Sequence, residues 1–280
     1  DALGDDLAAI QRRIVEQIGV IAFDDGYPVG CLFLSLDHAA EPPTGSLHRV
    51  SVLPSQRLNG VAAMMVRSAA DLAIQAGMRR LQLVARRELP QVVKWWGSHG
   101  FEFDHDLDEY RMVLVVPLPA RAVIPTAARM QGLGRRLARL LRAGDLVVLN
   151  GELGAGKTTL AQGIGAGLQV GGAVTSPTFV LSRIHPALGE GPQLVHVDAY
   201  RLSSAAELAD LDLDDSLAES VTLVEWGQGL AEQFSADRLE ITIERGGDGD
   251  GETREVTLHG IGARWREVDL WKLVDQGKEN

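Results

Sequence analysis

Cysteine is almost absent: Cys31 is the single one in 280 residues. A lone cysteine excludes an internal disulfide framework and a cysteine-built zinc site, and it favours a reducing compartment, the cytoplasm. Long apolar runs are missing as well. No stretch reaches the roughly 18 uninterrupted apolar residues of a membrane helix. The opening DALGDD is acidic and lacks the basic-then-apolar order of a signal peptide. The chain starts at Asp1 with no methionine, so a trimmed start is expected. Positive charge is scarce, with 27 Lys+Arg against 38 Asp+Glu, a net charge of −11 and only four lysines. Proteins that grip nucleic acid directly present a basic face, because neutralising phosphates supplies the affinity. This chain as a whole repels a polyanion. The imbalance is local, however: residues 118–145 hold six Arg and one Asp, whereas residues 146–280 hold ten basic and 22 acidic residues. Any link to nucleic acid therefore runs through a partner or through that one basic stretch.

Hydrophobic residues make up 45% and charged residues 23%, an ordinary globular composition. At about 150 residues per domain the length suggests two domains. The segment PLPARAVIP, from Pro117 to Pro125, carries three prolines and is the natural boundary, since proline removes backbone donors. We divide the chain into residues 1–117, residues 118–262 and a tail, 263–280, that reads either as a docking helix or as a frayed end.

In the first module a helical stretch covers Asp5 to Glu16. The strand runs VIAFDD and VGCLFLSL follow, separated by a Gly26-Tyr27-Pro28 turn, and a third run is HRVSVLP. Val61, Met64, Met65, Leu72, Ala73 and Ala76 then recur at helical spacing. A strand RLQLVAR, a short helix QVVKWWGSHG and the alternating pair FEFDHD and YRMVLVV close the module. Strands around one strong helix give an α/β arrangement, a mixed sheet with helices.

The second module opens with an amphipathic helix, Met130, Leu133, Leu137, Leu140 and Leu141 on one face and Arg135, Arg136, Arg139 and Arg142 on the other. The buried-strand run DLVVLN leads straight into GELGAGKTT. Further strand candidates are TFVLSRI, QLVHVD, VTLVEW, RLEITIE and REVTLHG, which make an α/β sheet flanked by helices. Ser204 and Glu207 have the spacing of a capping box. GGDGDGE, between the last two runs, reads as a hairpin loop; its acidic spacing is too short for a calcium ladder.

Gly151 to Thr158 fit G-x-x-x-x-G-K-[ST] between a strand and a helix. Gly151, Gly154 and Gly156 let the backbone turn its N–H groups onto an anion, and the following helix adds its positive end. Lys157 reaches β- and γ-phosphates, and Thr158 offers a hydroxyl to Mg2+. Asp198 and Glu225 each end an apolar strand, where open α/β sheets form ligand crevices. Taken singly, Asp198 also reads as a helix cap, Glu225 as the partner of an arginine, and Trp226 as core.

Together GELGAGKTT, TSPTF, HVDAYR and LVEW, in that order, resemble the TsaE (YjeE) family of P-loop ATPases of tRNA threonylcarbamoyladenosine formation, from about Val123 to Gly260. The resemblance implies ATP bound across Gly154, Ala155, Gly156, Lys157, Thr158 and Thr159, with Mg2+ on Thr158 and Glu225. It implies that Asp198 supports the metal or the attacking water, that Thr175 to Phe179 form a nucleotide-sensitive switch, and that Trp226 lies near the nucleotide. It points to Arg254 near the phosphates and Thr126 near the adenine. It implies slow ATP hydrolysis acting on a TsaD/TsaB complex, with tRNA touched only through that complex.

The first module carries Arg57-Leu58-Asn59-Gly60-Val61-Ala62, the R-x-x-G-x-A of a strand-to-helix anion cradle, and it resembles the GNAT acyltransferases over about 5–116 without the first strand and helix of that family. The resemblance implies that Arg57, Gly60 and Ala62 meet the pyrophosphate of acetyl-CoA. The family's frequent tyrosine acid has no match, since Tyr27, Tyr110 and Tyr200 lie elsewhere; Glu88 and His99 are the candidates for a base. Three readings follow: a bifunctional chain, a TsaE ATPase tethered by an inactive GNAT fold, and a P-loop small-molecule kinase.

Overall fold

A computed structural model describes residues 7–57, 59–202, 204, 207, 217–246, 251–266 and 268–275, and divides the chain into two compact units, Asp1–Leu118 and Pro119–Asn280.

The first unit contains α1 (Leu7–Glu16), β1 (Ile18–Asp24), β2 (Tyr27–Asp37), β3 (Thr44–Val52), α2 (Val61–Gln75), β4 (Arg80–Arg86), α3 (Pro90–Gly97), β5 (Glu102–Asp106) and β6 (Arg111–Pro117). Among the described residues the sheet order is β1-β2-β3-β4-β6-β5, and only the β3–β4 pair is parallel. The first hairpin corrects an expectation. Tyr27 and Pro28 lie in β2, and the turn is Asp25-Gly26, with φ of 46° and 82°. Two successive positive φ angles match the right-handed strand twist, and Asp-Gly supplies them at least cost.

Leu32, Leu34, Leu47, Leu81 and Leu83 face α2, whose Met65, Ala69 and Ala73 are buried against them. A small residue lets this helix approach closely: a Cβ on Gly30 of β2 would stand 2.9 Å from Met65 Cε. The β3–β4 ladder runs only from Thr44–Arg80 to Leu47–Leu83. Beyond it, β3 continues beside β2 and β4 beside β6, so the sheet forks. Arg49, at φ 53°, makes a bulge at the start of the fork.

The second unit contains β7 (Ala120–Ile124), α4 (Ala127–Ala138), β8 (Leu146–Asn150), α5 (Lys157–Leu168), β9 (Ser182–His185), β10 (Gln193–Asp198), β11 (Ser220–Glu225), β12 (Arg238–Arg245), β13 (Arg254–Ile261), α6 (Ala263–Arg266) and α7 (Trp271–Asp275). Its sheet order is β7-β13-β12-β8-β11-β10-β9 among the described residues. The central strands β12, β8, β11 and β10 are parallel, and β8 and β11 are buried along their whole length. Parallel strands covered on both faces read as continuous apolar runs, which is why DLVVLN and VTLVEW were visible.

Three readings change here. The proline-rich segment holds the strand β7, which adds to the edge of the sheet beside β13, with Pro119 and Pro125 just outside it. An edge strand tolerates proline neighbours because one side carries no ladder. In TFVLSRI only Ser182–His185 is strand; Thr178 to Val180 form a turn. Helix α4 ends at Ala138, before Leu140 and Leu141.

Helices α4 and α5 pack backbone to backbone. A Cβ on Gly134 would lie 2.5 Å from the Leu160 carbonyl oxygen. Trp265, Leu270, Leu273 and Val274, from beyond residue 262, are buried in the same core as α4. Arg264 forms an ion pair with buried Asp145 at 2.9 Å. The Ser204 hydroxyl accepts from the Glu207 N–H at 3.3 Å, the first half of the expected box. Residues 205, 206 and 208–216, where the box would open a helix, and residues 247–250, with the calcium spacing, lie outside the described residues.

Candidate functional site

Strand β8 ends at Asn150, and the chain then winds through Gly151, Gly154 and Gly156 at φ 146°, 77° and 110°. At Gly151 a Cβ would stand 2.3 Å from the Ile243 carbonyl oxygen, so a side chain is excluded there by space as well as by backbone angle. Two arginines hold this loop from outside. Arg254 donates to the carbonyls of Ala155 (3.0 Å) and Gly154 (3.3 Å), and Arg245 donates to that of Leu153 (3.2 Å). The Ala155 N–H is bonded within the loop to the Glu152 carbonyl at 3.1 Å; holding the carbonyls of Leu153, Gly154 and Ala155 on the arginines leaves the loop shaped to turn its other N–H groups toward an anion.

Lys157 opens α5. It is 5% exposed, and its Nζ donates to the carbonyls of Gly151 (2.8 Å) and Glu152 (3.1 Å) while standing 3.9 Å from the Trp226 ring centroid. Burial pushes its pKa below the ordinary lysine value, and Glu225 and Asp198 pull it back up. Thr158, the next residue, donates its hydroxyl to Glu225 Oε1 at 3.2 Å. Asp198 and Glu225 are paired neighbours at the C-terminal ends of β10 and β11, and both are 3% exposed. Asp198 accepts from Thr178 Oγ1 (2.6 Å), Ser176 Oγ (3.2 Å) and the Tyr200 N–H (3.0 Å). Trp226 is half-buried at φ 60°, a costly angle for so large a residue, beside Tyr200 at 5.2 Å.

These groups line one cleft of about 370 Å3. A second cleft of about 250 Å3 lies against the same glycines and Thr159, bounded by Thr126, Met130 and Arg254. Thr126 also caps α4, accepting from the Arg129 N–H at 3.3 Å. The fold therefore gathers Gly151, Gly154, Ala155, Gly156, Lys157, Thr158, Thr159, Asp198, Glu225 and Trp226 around one loop. Among the described residues Glu225 meets no arginine; its hydrogen-bond partners there are Thr158 and His196. Thr175 is not brought into the cleft, since it is exposed and accepts from Arg183 at 3.0 Å; Ser176 and Thr178 face Asp198 instead. Reading the motif missed His196, whose signal was a polar residue inside the buried run QLVHVD.

In the first unit, Arg57 and Gly60 (φ 75°) are exposed just before α2, and Ala62 is half-buried in its first turn. That turn contains no acidic residue, so the helix's positive end is uncompensated. Because β3 leads into α2, this end lies on the side where β3 and β4 part. His99 points its ring onto Trp95 (centroids 4.0 Å apart) and bonds the Trp95 carbonyl, and Glu88 is exposed. The residue at the fork is another one. His48 follows Leu47, the last paired residue, and is within 2.9 Å of the Ser35 hydroxyl. Burial, then Arg13 and Arg49, hold its pKa below the ordinary histidine value.

Residues 124–256 match the family described as threonylcarbamoyl adenosine biosynthesis protein TsaE, and residues 4–101 match the acetyltransferase (GNAT) family. The tRNA threonylcarbamoyladenosine biosynthesis protein TsaE of Streptomyces coelicolor is 62% identical over 147 residues, 52% of this chain and 99% of that protein. Among solved structures, YdiB of Bacillus subtilis is 28% identical, covering 57% of this chain and 93% of its own, with a TM-score of 0.44. The PaiA N-acetyltransferase of Thermoplasma acidophilum, solved with coenzyme A, is 16% identical over 39% of this chain and 70% of its own, with a TM-score of 0.36.

Proposed function

Because this chain belongs to the TsaE family, a family of tRNA threonylcarbamoyladenosine biosynthesis proteins, we propose that residues 118–262 bind and slowly hydrolyse ATP within that modification machinery. The carrying observation is the 3.2 Å contact between Thr158 and Glu225 at the mouth of the glycine loop, with Asp198 beside it. A hydroxyl and a carboxylate are hard oxygen donors, which suit Mg2+ completed by water and phosphate oxygens. Thr158 and Glu225 would hold the ion, which when bound neutralises charge developing on the phosphates.

The chain's own groups do the rest. The loop's N–H groups cradle the phosphates. Lys157 exchanges two backbone carbonyls for phosphate oxygens, a stronger charge-assisted partner. Asp198, buried at the end of β10, would orient a water. The second cleft, with Thr126 and Arg254, takes the nucleoside side. As long as Ser176 and Thr178 bond Asp198, the loop that contains them reports the state of the site. Water brought to Asp198 with bound nucleotide would compete with these hydroxyl donors and release the loop toward a partner of the TsaD/TsaB type. The −11 charge favours such a route to tRNA over direct binding. Among the described residues no helix is long and apolar enough to cross a membrane, and we place the protein in the cytoplasm.

For residues 1–117, the GNAT family match and the exposed helix end beside the fork support binding of an acyl-CoA such as acetyl-CoA. His48 is our candidate to take the proton of an acceptor amine, since its lowered pKa keeps the ring neutral at pH ~7. That favours an active transferase over an inert tether. Membership of the TsaE family displaces the small-molecule kinase reading.

One experiment tests the central claim. In cells depleted of this protein, the wild-type chain restores threonylcarbamoyladenosine in tRNA and Lys157→Ala does not. Restoration by the alanine variant would end the ATPase reading.

A further inference from the structure

Glu225 is held by a residue that the ATPase reading does not use. His196 lies on β10 two residues before Asp198 and is 0% exposed. Side chains alternate along a strand, so His196 and Asp198 share a face. Glu225, paired with Asp198 across the ladder, shares it too. His196 Nε2 is 3.0 Å from Glu225 Oε1, the same oxygen that accepts the Thr158 hydroxyl at 3.2 Å.

We propose that His196 is a positioning residue, which fixes the Glu225 carboxylate through Oε1 and leaves Oε2 as the ligand atom for the divalent cation beside Thr158. The inference rests on the reading of Thr158 and Glu225 as cation ligands. A carboxylate buried next to a second carboxylate, Asp198, is costly to keep charged unless donors meet it. The N-terminal turn of α5 supplies Thr158, and the strand floor supplies His196. Without the ring, Glu225 is left with one donor on a mobile hydroxyl, and that hydroxyl is needed by the cation.

The tautomer follows from the same geometry. An ionised carboxylate oxygen only accepts, so Nε2 carries the proton. His196 Nδ1 is buried with no hydrogen-bond partner among the described residues. An N–H there would be an orphaned donor, whereas a bare lone pair is less costly. A hydrogen on Nε2, facing Glu225 Oε1, is the arrangement this geometry satisfies.

The test uses the full chain and a fluorescent, non-hydrolysable ATP analogue, titrated with Mg2+ and again with EDTA. His196→Leu removes the donor at similar volume, and His196→Gln returns an N–H near the Nε2 position. The leucine variant is expected to lose roughly 10- to 100-fold of the Mg2+-dependent tightening, with affinity in EDTA unchanged and with most of the tightening restored by glutamine. Independently, 15N chemical shifts of the wild-type ring are expected to show Nε2 protonation. Equal Mg2+ dependence in the leucine and wild-type chains overturns the proposal, as does a ring protonated on Nδ1. If the leucine variant fails to fold, the glutamine variant and the tautomer decide. If the wild-type chain binds the analogue equally with Mg2+ and EDTA, the cation reading fails and the proposal falls with it. If Mg2+ tightens binding in wild type and His196→Leu alike, only the proposal fails.

Discussion

Thr178 donates a 2.6 Å hydrogen bond to the buried carboxylate of Asp198, and so ties the segment after the P-loop helix to the end of β10. The turn it anchors is closed by the N–H groups of Val180 and Leu181, both bonded to the Pro177 carbonyl. Thr178→Val keeps the shape and removes the donor, at a cost of about 1–3 kcal/mol because the buried carboxylate loses a partner. Hydrogen exchange at Val180 and Leu181 is expected to speed up without nucleotide, while β8 and β11 stay protected. Unchanged protection at those two amides would show that the latch is not Thr178.

Trp226 reports where Lys157 is. The ammonium stands 3.9 Å from the ring centroid. Phosphates that draw it away remove a cation from the ring face. Adding ATP is expected to change tryptophan emission in the wild-type chain. In Trp226→Phe, which keeps an aromatic face, ATP still binds but the emission change is lost. An equal change in that variant would assign the signal to another of the five tryptophans.

Gly163 and Gly132 predict opposite signs for the same substitution. Alanine in a helix interior ordinarily gains about 1 kcal/mol over glycine. At Gly163 a Cβ would lie 2.3 Å from the Gln131 carbonyl oxygen, whereas at Gly132 the nearest atom is Arg136 Nη1 at 3.6 Å. Gly163→Ala is expected to cost about 1–3 kcal/mol by forcing α4 from α5. Gly132→Ala is neutral to stabilising. Thermal melts of the two variants check the pair, and a stable Gly163→Ala would deny the close approach of the helices.

His48 makes the first unit weaker in mild acid. The unfolded ring takes its proton near pH ~6.5. Burial, Arg13 and Arg49 delay that step in the folded state to lower pH. Just below pH ~6.5 the unfolded chain thus binds more protons, so stability falls as pH drops through this window and is complete above it. His259, in the second unit, acts in the same direction: burial lowers its pKa most, Glu240 opposes, and Arg238 adds a smaller lowering. The loss of melting temperature between about pH 7.5 and about pH 5.5 is expected to shrink in His48→Gln. An unaltered pH dependence would remove His48 from the account.

Much of the site was legible because its signals are local. Glycine spacing before Lys157 and Thr158 describes a loop whose shape depends on backbone angles within six residues. Asp198 and Glu225 stood out because an acid that ends a buried apolar run has few reasons to be there. The turn of the first hairpin is equally local: its shape is set by the paired positive φ angles of Asp25 and Gly26, while Pro28, the residue that suggests a turn at Gly26-Tyr27-Pro28, lies in β2.

The sequence by itself determined that a strand, an anion loop and a helix come in that order, and that two acids each end a buried apolar strand, because near-neighbour backbone chemistry settles those features. Only the tertiary structure decided that Arg254 pins the Ala155 carbonyl from 99 positions away, that Ser176 and Thr178 meet Asp198 while Thr175 turns to Arg183, and that His196 stands beneath Glu225. It also decided that a proline-flanked segment becomes the edge strand β7. Those outcomes depend on which strands lie side by side and which faces they share, and long-range pairing leaves no mark in the spacing of any one segment.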